Sequence, residues 1–134
     1  MKKILVIDDE SLITSLMYKQ LQDKYDVITE NSGRKALETI KNNAIDLIIT
    51  DVIMPDFDGI HLLFSVMRDR KPVPVIVMSG DPVGRKFLYA AHNLGAVGVL
   101  TKPFTRETLL SVVGRALESD NEVIDAEMSP TGMQ

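Results

Sequence analysis

The sequence predicts an α/β fold: a doubly wound sheet of five parallel strands in the order 2-1-3-4-5, with five helices on its two faces. Three observations lead to it. Short runs rich in Val, Ile and Leu recur along the chain, apolar throughout as strands buried on both faces are. Between them lie segments whose apolar residues repeat at helical spacing. The runs also stop at polar residues, at Asp8-Asp9-Glu10, Asp51, Ser79 and Lys102. In an open α/β sheet the C-terminal ends of the strands are where ligands are bound.

Each element follows in order. Lys3-Ile4-Leu5-Val6-Ile7, closed by the three acids, is the first strand; two adjacent acids alone would mean no more than a solvated turn. Leu12, Ile13, Leu16, Met17 and Leu21 then recur with helical spacing behind Glu10 or Ser11, so a helix covers about 11–23. Tyr25-Asp26-Val27-Ile28-Thr29-Glu30 is a less apolar strand suited to a sheet edge. Asn31-Ser32-Gly33 turns the chain and caps a helix carrying Ala36, Leu37, Ile40 and Ala44.

Asp46-Leu47-Ile48-Ile49-Thr50-Asp51 is the third strand, broken by Met54-Pro55 and Asp58-Gly59. Gly59 begins a helix with Ile60, Leu63, Val66 and Met67 facing inward. Its last turn, Arg68-Asp69-Arg70-Lys71 before Pro72, is basic, which suits the negative end of the helix dipole better than it marks a binding patch. Val73-Pro74-Val75-Ile76-Val77-Met78-Ser79-Gly80 is the fourth strand, and Ser before Gly is by itself ordinary turn chemistry. A weaker helical pattern holds Phe87, Leu88, Ala91 and Leu94 and ends at Gly95. Ala96-Val97-Gly98-Val99-Leu100-Thr101-Lys102 is the fifth strand. Thr105 caps the last helix, stapled by Phe104 against Leu109, with Leu109, Leu110, Val113, Ala116 and Leu117 on its apolar face.

The 134 residues are the length of one domain, expected over 1–118, with 119–134 an acidic, disordered tail or shortened linker. The net charge of −4 sits in that tail. Five of the 19 acids follow Leu117 with no base, so residues 1–117 carry 15 bases against 14 acids, or +1. A body so nearly neutral, with scattered Lys and Arg, lacks the basic face of a nucleic-acid binder. No apolar run approaches the ~20 residues of a membrane span, and the N-terminus lacks a signal peptide's long apolar region, so a cytoplasmic location is expected. The absence of cysteine excludes disulfides, thiolate metal sites and Cys nucleophiles.

In the order 2-1-3-4-5 the first and third strands are neighbours about 5 Å apart. Asp8, Asp9 and Asp51 therefore converge, with Ser79 and Lys102 delivered to the same rim. Two like charges at 4 Å repel by about 4 kcal/mol at an effective dielectric near 20, so such a cluster needs a cation. Lys102 supplies one, and an all-oxygen site suits Mg²⁺, with Mn²⁺ as a substitute, rather than Zn²⁺. There is no catalytic Ser–His pair, Walker loop or G-x-G-x-x-G after the first strand, and His61 and His92 fall on helices away from the rim. A carboxylate nucleophile beside a divalent cation and a lysine suits phosphoryl transfer through an aspartyl phosphate.

Asp8-Asp9, Asp51 with Met54-Pro55 and Gly59, Ser79-Gly80, and Lys102-Pro103-Phe104 together resemble the receiver domain of two-component response regulators, over about residues 3–118. The resemblance implies the flavodoxin-like, chemotaxis-regulator-like fold. It implies that Asp51 is the phosphoacceptor, supplied by a histidine kinase or phosphotransfer protein, in a chain that is no enzyme beyond its own phosphorylation and dephosphorylation. By the same resemblance Asp9, Asp51 and the backbone carbonyl of Ile53 bind Mg²⁺, with Asp8 acting through water. Ser79 would hydrogen-bond one phosphoryl oxygen and Lys102 pair with another, and the Lys102-Pro103 peptide would be cis. An output protein or domain would be reached through the fourth helix, fifth strand and fifth helix, without direct nucleic-acid or membrane contact, in a monomer or a phosphorylation-dependent dimer.

One position departs from the family pattern. Most members carry Tyr or Phe three residues before the lysine, an aromatic that swings inward as the Ser or Thr moves toward the phosphoryl group, and here the residue is Val99. The chemistry should survive, and the readout must differ. Ile53 and Asp81 flank the family's path for hydrolytic water. Two other functions compete: a pseudo-receiver that no longer uses phosphate, favoured by Val99, and an aspartate-dependent phosphatase, disfavoured because such enzymes place an acid where Ile53 stands.

Overall fold

Strands without a polar face fold only where both sides are covered, and the apolar runs of this chain are used in that way. The computed structural model describes residues 1–52, 54, 61–62, 65–66, 68, 73–80, 82–93, 95–118 and 124–125. Its elements are β1 (Lys3–Ile7), α1 (Ser11–Leu21), β2 (Asp26–Glu30), α2 (Gly33–Asn42), β3 (Leu47–Asp51), β4 (Val75–Ser79), α3 (Pro82–Asn93), β5 (Gly98–Thr101), α4 (Arg106–Glu118) and β6 (Ile124–Asp125). Of the helix predicted after Gly59, the described residues 61–62 and 65–66 are helical. The predicted fourth and fifth helices are thus α3 and α4.

All strands run parallel in the order β2-β1-β3-β4-β5-β6, so the first five stand as predicted. Alternate residues of each strand feed two cores. Leu5, Ile7, Ile48, Val77 and Val99 pack with Ala36, Leu62 and Ala91 on one side. Ile4, Val6, Ile49, Met78 and Leu100 pack with Met17, Leu21, Leu109 and Val113 on the other. Each fully buried Leu or Ile contributes about 1.5–3 kcal/mol, which makes the central strands the rigid floor of the molecule.

Helix ends follow local chemistry. Ser32 Oγ accepts from the Lys35 amide at 3.5 Å, and Thr105 Oγ1 accepts from the Thr108 amide at 3.0 Å. Behind α3, Gly95 takes φ 108°, the left-handed conformation that ends a helix at little cost only in glycine. The Lys102-Pro103 peptide is cis.

Two expectations change and a third is extended. In α1 the stripe on the sheet is Ile13, Met17 and Leu21 with the buried Thr14, while Leu12 is 84% and Leu16 50% exposed. Two apolar stripes a third of a turn apart cannot both face the sheet. In the helix after Gly59, Val66 is buried as expected and so is Leu62; Ile60, Leu63 and Met67 lie outside the described residues. Finally, two residues of the expected tail form β6 beside β5, with Ile124 opposite Gly98 and Asp125 opposite Val99. Ile124 and Asp125 meet the backbone of β5 at the edge of the sheet, with α4 lying between the two strands in the chain. The remaining tail residues, 119–123 and 126–134, lie outside the described residues. Among the described residues no helix is long and apolar enough to cross a membrane.

Candidate functional site

Parallel register sets the site. Ile7 lies opposite Thr50, so the residues that follow, Asp8 and Asp51, leave neighbouring strands at one level. Ser79 ends β4 opposite Thr101 of β5, and Lys102 comes next. Backbone bonds lock these exits together: the Asp8 amide donates to the Glu30 carbonyl at 3.1 Å, the Val52 amide to Met78 at 3.0 Å and the Lys102 amide to Ser79 at 3.1 Å.

Asp8, Asp9 and Asp51 each bring a carboxylate oxygen to within 4.8 Å of the other two. Asp8 and Asp51 are buried and Asp9 is exposed. Lys102 reaches across the rim, its Nζ 2.7 Å from Asp8 Oδ2 and 2.8 Å from Asp51 Oδ2. The other Asp8 oxygen, Oδ1, accepts from the Glu10 amide at 2.9 Å. Burial strips water from the Lys102 ammonium and pushes its pKa down, but the hydrogen bonds it donates to Asp51 and Asp8, with the charges of those carboxylates, outweigh that loss and hold it above the ordinary lysine value.

One ammonium among three carboxylates leaves two negative charges uncompensated when all three are ionised. The donors are all oxygen, one of them open to solvent, which fits a hard divalent cation. This cluster could hold a metal ion and keep a carboxylate of β3 next to it. Of the residues singled out by sequence, Asp8, Asp9, Asp51 and Lys102 are brought together, and Ser79 is buried at the end of the adjoining strand. Ile53 and Asp81 lie outside the described residues, as do Pro55 and Gly59. His61 and His92 are exposed on helical residues, as expected.

Asn31, which in the sequence reads only as a turn residue, belongs to the site as well. Its side-chain amide donates to the carbonyl of Asp8 at 2.8 Å. The signal available was topological: Asn31 follows the last residue of β2, and Glu30 is in register with Ile7, so Asn31 must emerge beside Asp8.

Comparison with known proteins agrees with this geometry. The family model for the response regulator receiver domain matches residues 4–114. The alkaline phosphatase synthesis transcriptional regulatory protein PhoP of Bacillus subtilis is 35% identical over 136 residues, an alignment covering 99% of this chain and 56% of PhoP. Among solved structures, the chemotaxis response regulator CheY4 of Vibrio cholerae is 34% identical with a TM-score of 0.78, covering 87% of this chain and 99% of CheY4. A response regulator receiver domain protein from Clostridium thermocellum is 31% identical with a TM-score of 0.82, covering 88% of this chain and 95% of that one. The chain therefore spans little more than half of PhoP and nearly the whole of these two structures.

Proposed function

The chain belongs to the response regulator receiver domain family, and from that premise we propose that it is a switch that accepts a phosphoryl group on Asp51. The observation that carries the reading is the meeting of Asp8, Asp9 and Asp51 within 4.8 Å, with Lys102 bonded to two of them. The receiver unit is residues 1–118 with β6 added at the edge of its sheet, and the donor is the phosphohistidine of a kinase or phosphotransfer protein.

In the transfer, a carboxylate oxygen of Asp51 attacks phosphorus and a P–O bond forms as the P–N bond of the donor breaks. The leaving imidazole keeps that electron pair and takes up a proton. Lys102, already on Asp51 Oδ2, is placed to pair with a phosphoryl oxygen, and Ser79 at the neighbouring strand end to hydrogen-bond another. Asp9 and Asp51 with the carbonyl of Ile53, and Asp8 through water, would hold Mg²⁺, which would supply positive charge to offset that on the phosphoryl oxygens. The chain turns over no separate substrate; it modifies itself, and hydrolysis of the acyl phosphate resets it.

Output runs through α3, β5 and α4 to a partner protein or domain. A move from 1:99 to 99:1 between two states needs about 5.5 kcal/mol of differential stabilisation, which the phosphoryl contacts must supply. A cytoplasmic location fits a kinase donor. The competing reading is a pseudo-receiver that binds partners without phosphate, and Val99 in place of the family's aromatic favours it.

The test is incubation with acetyl phosphate and Mg²⁺, followed by intact mass, with beryllofluoride as a second probe. Wild type should gain one phosphoryl group and Asp51→Asn none. No adduct on wild type at millimolar donor would leave the pseudo-receiver.

A further inference from the structure

We infer that Asn31 is a positioning residue for the divalent cation: by holding the peptide that joins Asp8 to Asp9, it aims the Asp9 carboxylate at the metal. The inference rests on the phosphoryl-transfer reading for its biological use, though not for its test.

Asn31 Nδ2 donates to the Asp8 carbonyl at 2.8 Å and to Thr14 Oγ1 at 3.1 Å. Thr14 is buried in α1, and its hydroxyl gives its single proton to the Ser11 carbonyl at 3.1 Å. That hydroxyl can therefore only accept from Asn31. Both neighbours of the amide nitrogen are acceptors, so the network settles which end of the amide faces them. A continuous path of bonds thus runs from the Asp8 carbonyl through Asn31 and Thr14 into the first turn of α1.

The Asp8 carbonyl oxygen lies in the same rigid plane as the amide and Cα of Asp9. Fixing that oxygen stops the plane from turning, and with it the direction in which Asp9 leaves the backbone. The other two acids have holds of their own. Asp8 is pinned through Glu10 and Lys102, and Asp51 by Lys102 and its place at the end of β3. Asp9 is exposed and, among the described residues, has no ion pair or side-chain hydrogen bond. Asn31 therefore acts on the one acid of the cluster that nothing else orients. Groups that orient a metal ligand typically account for 10–100-fold in metal affinity, and an effect passed through one peptide to one of three acids belongs at the lower end.

The experiment is calorimetric titration of MgCl₂ into the unphosphorylated full chain, as wild type, Asn31→Ala, Thr14→Val and the double variant. Melting in EDTA and phosphorylation of wild type by acetyl phosphate are measured alongside. Asn31→Ala should weaken Mg²⁺ about tenfold. Thr14→Val should weaken it less, and the double variant should be no weaker than Asn31→Ala, because the two residues act along one path. Mg²⁺ affinity equal to wild type in Asn31→Ala would overturn the inference even if its melting temperature fell, since Asn31 would then only hold a turn. If Asn31→Ala did not fold, wild-type affinity in Thr14→Val would overturn it. A wild type that bound no Mg²⁺ would remove both this inference and the phosphoryl-transfer reading; one that bound Mg²⁺ but took no phosphoryl group would remove only the latter.

Discussion

A Cβ on Gly80 would stand 3.0 Å from the Cβ of Lys102 and 3.3 Å from its carbonyl oxygen. The glycine after Ser79 is thus more than turn chemistry: its missing side chain is the space through which the lysine's backbone passes. Gly80→Ala must push Lys102 aside by a few tenths of an ångström and draw its ammonium from Asp51. Overpacking of this kind costs about 1–3 kcal/mol, to be read from urea unfolding. Phosphorylation by acetyl phosphate with Mg²⁺ should slow by about tenfold or more, since small misplacements of positioning groups cost that much. A well-folded Gly80→Ala at the wild-type rate would show that Lys102 yields without loss.

Lys102→Met removes the cation from two buried carboxylates, a change that typically costs 3–5 kcal/mol. Mg²⁺ should restore more stability to this variant than it adds to wild type, because it then offsets the repulsion alone. Equal shifts in melting temperature on adding Mg²⁺ to both proteins would contradict this.

The same lysine dictates an alkaline limb. Its pKa rises on folding, so its pairs add stability wherever the unfolded lysine is charged, up to about pH 10. That stability is lost as pH climbs through the raised value of the folded state. The gap in unfolding free energy between wild type and Lys102→Met should be flat from neutrality to about pH 10 and narrow above it. A gap that closed below pH 9 would contradict the assignment.

Thr101 Oγ1 is buried with no hydrogen-bond partner among the described residues. Thr101→Val keeps the shape and deletes the desolvated hydroxyl. It should stabilise the protein by about 1 kcal/mol, or roughly 3–5 °C in melting temperature for a domain of this size. A lower melting temperature would mean that the hydroxyl is satisfied in solution.

Val99 is 6% exposed, opposite Val77 in the core shared with Ala91 and Ala96. Val99→Tyr restores the residue type common in the family but has little room, so about 1–3 kcal/mol of stability should be lost. The phosphorylation rate should stay within a few-fold of wild type. Complete loss of phosphorylation would show that this position does more than signal.

The strand ends were legible because a strand buried on both faces is written as an apolar run, and the first polar residue marks where it emerges. Asp8, Asp51, Ser79 and Lys102 could be placed on one rim from that alone, given the strand order. Surfaces were less legible. Leu12 and Leu16 repeat with the same period as Met17 and Leu21, and only the position of the sheet decides that Thr14 is buried in their stead. Asn31 could not be recognised by type, since its work is a bond to a backbone carbonyl, and every residue has one. Gly80 needed the distance to a residue far along the chain, and β6 needed knowledge that the edge of β5 was open.

β6 runs parallel to β5, with Ile124 opposite Gly98 and Asp125 opposite Val99, so the first two residues of β5 have a backbone partner from the same chain. An edge that is already paired offers less of a template to a strand of another molecule.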